Sequence, residues 1–105
     1  MSRFTYSVRV ANPRRGASSV EVTCLVDTGA MFTCIPAPEL EAIGVTPQWP
    51  VPIKLADGRQ EEWPATEILL TIDGRTLHTT CLLGPANGLA LLGAVSLEQF
   101  ALSAD

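Results

Sequence analysis

The chain is poor in the residues on which many catalytic chemistries depend. Its 105 residues hold one histidine, His78, and three cysteines, Cys24, Cys34 and Cys81. There is no Cys-x-x-Cys, so a zinc site would need three thiols and one imidazole at irregular spacing, and no metal or other cofactor is expected. His78 and Cys81 are three apart and face opposite sides of a strand, which separates a thiol from any base beside it. An odd, sparse cysteine set suits reduced thiols in a cytoplasm-like compartment, the expected location. Cys24 and Cys81 read as small buried hydrophobes and His78 as a surface strand residue. Positive charge is also scarce, with 7 Lys+Arg against 11 Asp+Glu and a net charge of −4. Only Arg14-Arg15 brings two cations together, so no phosphate-tracking stripe exists and nucleic acid is not an expected partner. No apolar run nears the ~20 residues that span a bilayer, and no membrane partner is expected. The opening MSRFTYSVRV alternates polar with apolar residues and does not read as a signal peptide. There is no P-loop, and Met31 in place of glycine after Gly29-Ala30 removes an Asp-x-Gly-x-Gly phosphate box.

What is present is one domain's worth of chain, residues 1–105, with a 47% hydrophobic content that can build a core. Period-two alternation dominates, and the expected class is mainly β. Phe4–Val10 and Ser19–Val26 read as strands around an Asn12–Gly16 loop, with Val20, Val22, Cys24 and Val26 on one face. Met31–Ile35 reads as a short strand stopped by Pro36, and Pro38–Gly44 as a short helix with acids in its first turn and a glycine stop. Asp57-Gly58 and Asp73-Gly74 each mark a hairpin. The first joins Val51–Leu55 to Glu61–Ala65, and the second joins Glu67–Ile72 to Thr76–Leu83. Pro52 and Pro64 suggest edge strands or an outlying arm. Leu89–Leu92 reads as a buried strand and Ala94–Phe100 as a second short helix.

Of the four aspartates, Asp57 and Asp73 sit in predicted turns, where the side chain bonds local backbone, and Asp105 is the last residue. Asp27 differs. Apolar stretches flank it on both sides, so its carboxylate is expected near the interior, where it must be paired, hydrogen-bonded or protonated. Leu25-Val26-Asp27-Thr28-Gly29-Ala30 resembles the active-site loop of retropepsin-like aspartic proteases. Leu91-Leu92-Gly93 followed by Ala94–Phe100 resembles that family's second diagnostic segment, an apolar-apolar-Gly run before a helix. The two apolar runs ending in glycine echo one another, and the resemblance implies that they belong to two related halves of one subunit, each threading a loop through the other.

The resemblance, which spans Phe4 to Asp105, implies an acid-protease barrel with a flap hairpin and one short C-terminal helix. It implies peptide-bond hydrolysis by water activated between two carboxylates that share a proton. One such motif in a chain of this length implies a homodimer with Asp27 of each copy at the two-fold axis. Thr28 would brace the loop across the axis, and Gly29 would allow close backbone approach and hold an extended peptide or protein substrate. Ala56, Asp57, Gly58 and Arg59 would form the flap tip. Ala30, Met31, Leu92 and the Gly84–Gly88 loop would contact substrate. The tip is more charged than in viral relatives, and Ala94-Val95 stands where many of them carry Arg-Asn. With few residues before Phe4, the interface would rest more on residues 101–105 and the active-site loops, and these departures leave the strength of the dimer open. A related module that dimerises or binds peptides without turnover is the alternative.

Overall fold

The computed structural model describes residues 4–102. Alternation becomes strand where it is cleanest. β1 (Thr5–Asn12) and β2 (Arg15–Val26) form an antiparallel hairpin that sets Val8 opposite Val22 and Tyr6 opposite Cys24. The loop between them is shorter than the sequence suggests, because Asn12 is buried and works as part of the strand end. Its Nδ2 donates to the Ile43 carbonyl at 3.2 Å and its Oδ1 accepts from the Arg14 N–H at 2.9 Å. β3 (Thr33–Pro36) is buried throughout and starts two residues later than expected, since Met31 and Phe32 belong to the preceding loop. α1 (Ala37–Glu41) carries Glu39 in its first turn, buries Leu40, and gives way to a turn ending at Gly44, whose φ of 79° suits glycine.

β4 (Trp49–Lys54) pairs antiparallel with β5 (Gln60–Ile72) around the Asp57-Gly58 turn. The two strands expected at Glu61–Ala65 and Glu67–Ile72 are one strand of 13 residues. β6 (Arg75–Gly84) follows a two-residue turn in which Asp73 and Gly74 have φ of 52° and 82°, the paired positive values that match strand twist in a tight hairpin. β7 is only Leu91–Leu92, and α2 is Ala94–Gln99. His78 is exposed on β6, with its Nδ1 3.2 Å from Glu67 Oε1.

The strand order is β1-β2-β7-β3-β6-β5, and a further β1–β5 pairing closes these six strands into a ring, with β4 outside on β5. The short β7 lies between β2, to which it is parallel, and β3, to which it is antiparallel. Inside the ring Val10, Cys24, Ile35, Leu70, Leu92 and Phe100 build the main core. Cys34, Ala65 and Leu82 form a second cluster with Phe32, Val51, Ile53 and Trp63 under the β4–β5 hairpin. Burial pushes the Cys24 thiol up to about 12, with Glu39 adding to the effect, and pushes Cys34 and Cys81 up as well. All three are free thiols that pack as hydrophobes. Among the described residues no helix is long and apolar enough to cross a membrane.

Candidate functional site

Asp27 is the first residue beyond β2. Its N–H donates to the Leu92 carbonyl at 3.0 Å, which extends the β2–β7 ladder by one bond into the loop. The chain then turns, with the Ala30 N–H donating to the Asp27 carbonyl at 3.1 Å and the Gly29 N–H to Asp27 Oδ1 at 3.0 Å. A Cβ on Gly29 would stand 3.3 Å from that same oxygen, so glycine lets the loop close tightly on the carboxylate. Asp27 is half-buried, more open than an interior carboxylate, while Thr28 and Gly29 are exposed.

The far end of the loop is held from α2. The N–H groups of Ala94 and Val95 donate to the carbonyls of Ala30 and Met31 at 2.8 and 3.0 Å. Gly93 lies flat against Phe32, where a Cβ would come within 2.4 Å of the Phe32 carbonyl carbon. Beneath it, Thr33 Oγ1 accepts from the Gly93 N–H at 3.2 Å and donates to Ser96 Oγ at 2.6 Å. Ser96 Oγ also bonds Thr79 Oγ1 at 2.8 Å. All three hydroxyls are buried.

Beside the loop opens a cavity of about 720 Å³. Gly29, Ala30, Met31 and Phe32 form its loop side, Cys34 and Leu82 the floor, and Pro85, Gly88, Leu89 and Leu91 the opposite wall. The β4–β5 hairpin supplies Pro52, Ile53, Lys54 and Trp63. Met31 and Leu89 stand at its rim, 65% and 70% exposed. The surface is mainly apolar, with Lys54 the one charged residue in its lining, and is suited to burying hydrophobic side chains.

The structure brings Asp27, Thr28, Gly29, Ala30 and Met31 together on one loop beside this cavity. Leu92 is a correction. It is fully buried in the main core, and its neighbour Leu91 lines the cavity, because successive strand residues face opposite sides. Ala56, Asp57, Gly58 and Arg59 form the exposed turn of the β4–β5 hairpin and lie apart from the cavity lining, which the hairpin reaches through its arms. At that turn Asp57 accepts from the Arg59 N–H at 3.0 Å and from Arg59 Nε at 2.6 Å, and these bonds hold its carboxyl below the usual range. The Gly84–Gly88 loop meets the cavity at Pro85 and Gly88. The sequence reading missed Trp63 and Ile53, whose period-two positions on the hairpin would have found them, and the Thr33–Ser96–Thr79 hydroxyls, for which linear order gives no signal. Among the described residues no group of three or more His, Cys, Asp or Glu side chains is placed to hold a metal ion.

A family model described as aspartyl protease matches residues 7–94. Among solved structures, the EIAV protease complexed with the inhibitor HBY-793 matches at a TM-score of 0.70 and 18% sequence identity, over 97% of this chain and 91% of that one. At that identity the likeness establishes a retropepsin-like fold. No curated protein sequence matches the chain.

Proposed function

The chain belongs to the aspartyl protease family, and from that premise we propose that it is one half of a homodimeric aspartic endopeptidase. The observation that carries this reading is the single carboxylate on the loop that borders the cavity. Asp27 is half-buried on a loop pinned at both ends, and the loop's next residues, Gly29 to Phe32, line a mainly apolar cavity of about 720 Å³ to which no carboxylate among the described residues contributes lining. Hydrolysis of a peptide with neither a metal nor a covalent intermediate can use one carboxylate to take a proton from water and a second, protonated, to polarise the carbonyl. A second copy related by a two-fold axis supplies the second group.

The other roles follow from position. Thr28 is exposed, and its hydroxyl is available to bond the partner's loop across the axis. Gly29 and Ala30 offer backbone to an extended substrate at the cavity edge. Met31, Leu91 and the Pro85–Gly88 segment wall its side-chain subsite. The β4–β5 hairpin acts as the flap. Ala56–Arg59 form its tip, held in one shape by the Asp57–Arg59 bonds, and close over the bound peptide.

Asp27→Asn keeps the side chain's size and its acceptor for Gly29, and removes the shared proton. The variant is expected to fold and dimerise normally and to lose peptide hydrolysis to background in a fluorogenic peptide assay. Hydrolysis persisting in the variant would refute the assignment. A wild-type dimer that binds a statine-type peptide but cleaves nothing would identify the chain as a binding module instead.

A further inference from the structure

The loop that carries Asp27 has few side-chain anchors of its own, and what steadies it lies underneath. Its start is tied by the Asp27 N–H to the Leu92 carbonyl, and its return by the Ala94 and Val95 N–H groups to the Ala30 and Met31 carbonyls. Both ties depend on where β7 and the start of α2 sit. The β2 and β3 ladders hold β7, and the start of α2 is held by the contact of Gly93 with Phe32 and by one buried polar chain running from the Gly93 N–H through Thr33 Oγ1 and Ser96 Oγ to Thr79 Oγ1. Ser96 is the hub of that chain. It is 1% exposed and bonds both β3, through Thr33, and β6, through Thr79, at the first turn of α2. The far end of α2 is tied to β6 separately, by Gln99 Nε2 on the His78 carbonyl and by Arg75 on the Phe100 carbonyl.

We propose that Ser96 is a positioning residue for Asp27, holding the first turn of α2 against β3 and β6 so that the carboxylate loop keeps a single conformation. The inference rests on the peptidase reading above. The physical reason is that buried hydroxyls are directional. Each one left without a partner costs more than its bond contributed, so the three oxygens admit one arrangement where an apolar contact would admit several. A short apolar helix packed on the ring could slide by a fraction of an ångström, and the Ala30 and Met31 carbonyls would slide with it. Two carboxylates that must share a proton tolerate little of that, since small misplacements of reacting groups cost large factors in rate.

Ser96→Ala empties the hub and leaves Thr33 and Thr79 short of a partner, while Ser96→Thr keeps the hydroxyl. Two readouts separate this inference from the reading it rests on. In hydrogen exchange, which needs no catalysis, Ser96→Ala is expected to speed exchange of the Asp27, Ala94 and Val95 amides by about tenfold or more, with the β1–β2 and β5–β6 amides unchanged. In peptide hydrolysis, kcat is expected to fall by about tenfold with KM little changed, the kcat–pH profile is expected to shift because the distance within the pair changes, and Ser96→Thr should restore both. Should Ser96→Ala fail to fold, Thr79→Val removes only the outer link and is expected to act in the same direction more weakly. Local amides protected as in the wild type would overturn the inference, and so would a loss of activity that only follows the folded fraction. A wild type that cleaves no peptide would overturn the peptidase reading and leave the exchange result to decide whether Ser96 holds the loop.

Discussion

Gly93 has φ of −90° and ψ of 173°, a conformation open to any residue, so the demand for glycine there comes from space. The nearest atoms to an added Cβ would be the Phe32 carbonyl carbon, oxygen and nitrogen at 2.4, 2.5 and 2.8 Å, and backbone cannot swing aside as a side-chain tip can. Gly93→Ala is therefore expected to cost about 2–3 kcal/mol, read as a lower urea midpoint at unchanged slope. At this scale the sequence was legible wherever chemistry singles out a residue. Asp27 stood out because a carboxylate flanked by two apolar runs needs a reason. Leu92 was misplaced because two adjacent leucines in a two-residue strand look alike, and only the register against Leu25 and Cys34 decides which one turns inward. Thr33, Thr79 and Ser96 carried no signal, since three hydroxyls scattered along the chain become a group only when β3, β6 and α2 meet.

The β4–β5 hairpin shows how an element can break a rule of composition while keeping the rule of geometry. Pro52 and Pro64 suggested edge strands or an outlying arm; β4 is the outermost strand, and β5 runs unbroken for 13 residues through Pro64. The Leu55 N–H bonds the Arg59 carbonyl at 2.7 Å, so opposed residues two steps along, Ile53–Glu61 and Val51–Trp63, are the bonded pairs. Pro50, Pro52 and Pro64 all fall on the alternate pairs, where a missing N–H costs the ladder nothing. On β4 the two prolines also strip donors from the outer edge, which discourages strand addition by another chain. Replacing Pro50 and Pro52 together by threonine should restore those donors and raise self-association, seen as a higher average mass in sedimentation with the fold unchanged. No increase in mass would show that the edge is protected by other means. Hairpin turns were legible because Asp-Gly carries its own conformational preference. Strand continuity was not, because it depends on which side of the ladder each proline faces.

At the scale of the molecule, the β1–β5 pairing seals the ring. If the chain is one half of an enzyme, turnover per chain should fall on dilution in step with the loss of dimer seen in sedimentation. Constant turnover per chain down to a fully monomeric solution would contradict it. The mainly β class was readable from alternation and the threaded architecture only through resemblance, because no linear pattern reveals that two residues at 91–92 will wedge between strands ending at 26 and beginning at 33. That wedge has a consequence in time. During synthesis the Asp27 segment leaves the ribosome long before Leu91, yet β2 and β3 gain their shared neighbour only when β7 arrives, and pairing across such a distance forms late. A nascent chain would thus carry the aspartate through most of its manufacture as an ordinary, unorganised acid. If the chain is a peptidase, its carboxylate is made early and armed last, which would spare the unfinished chain and its neighbours from an active cutting edge.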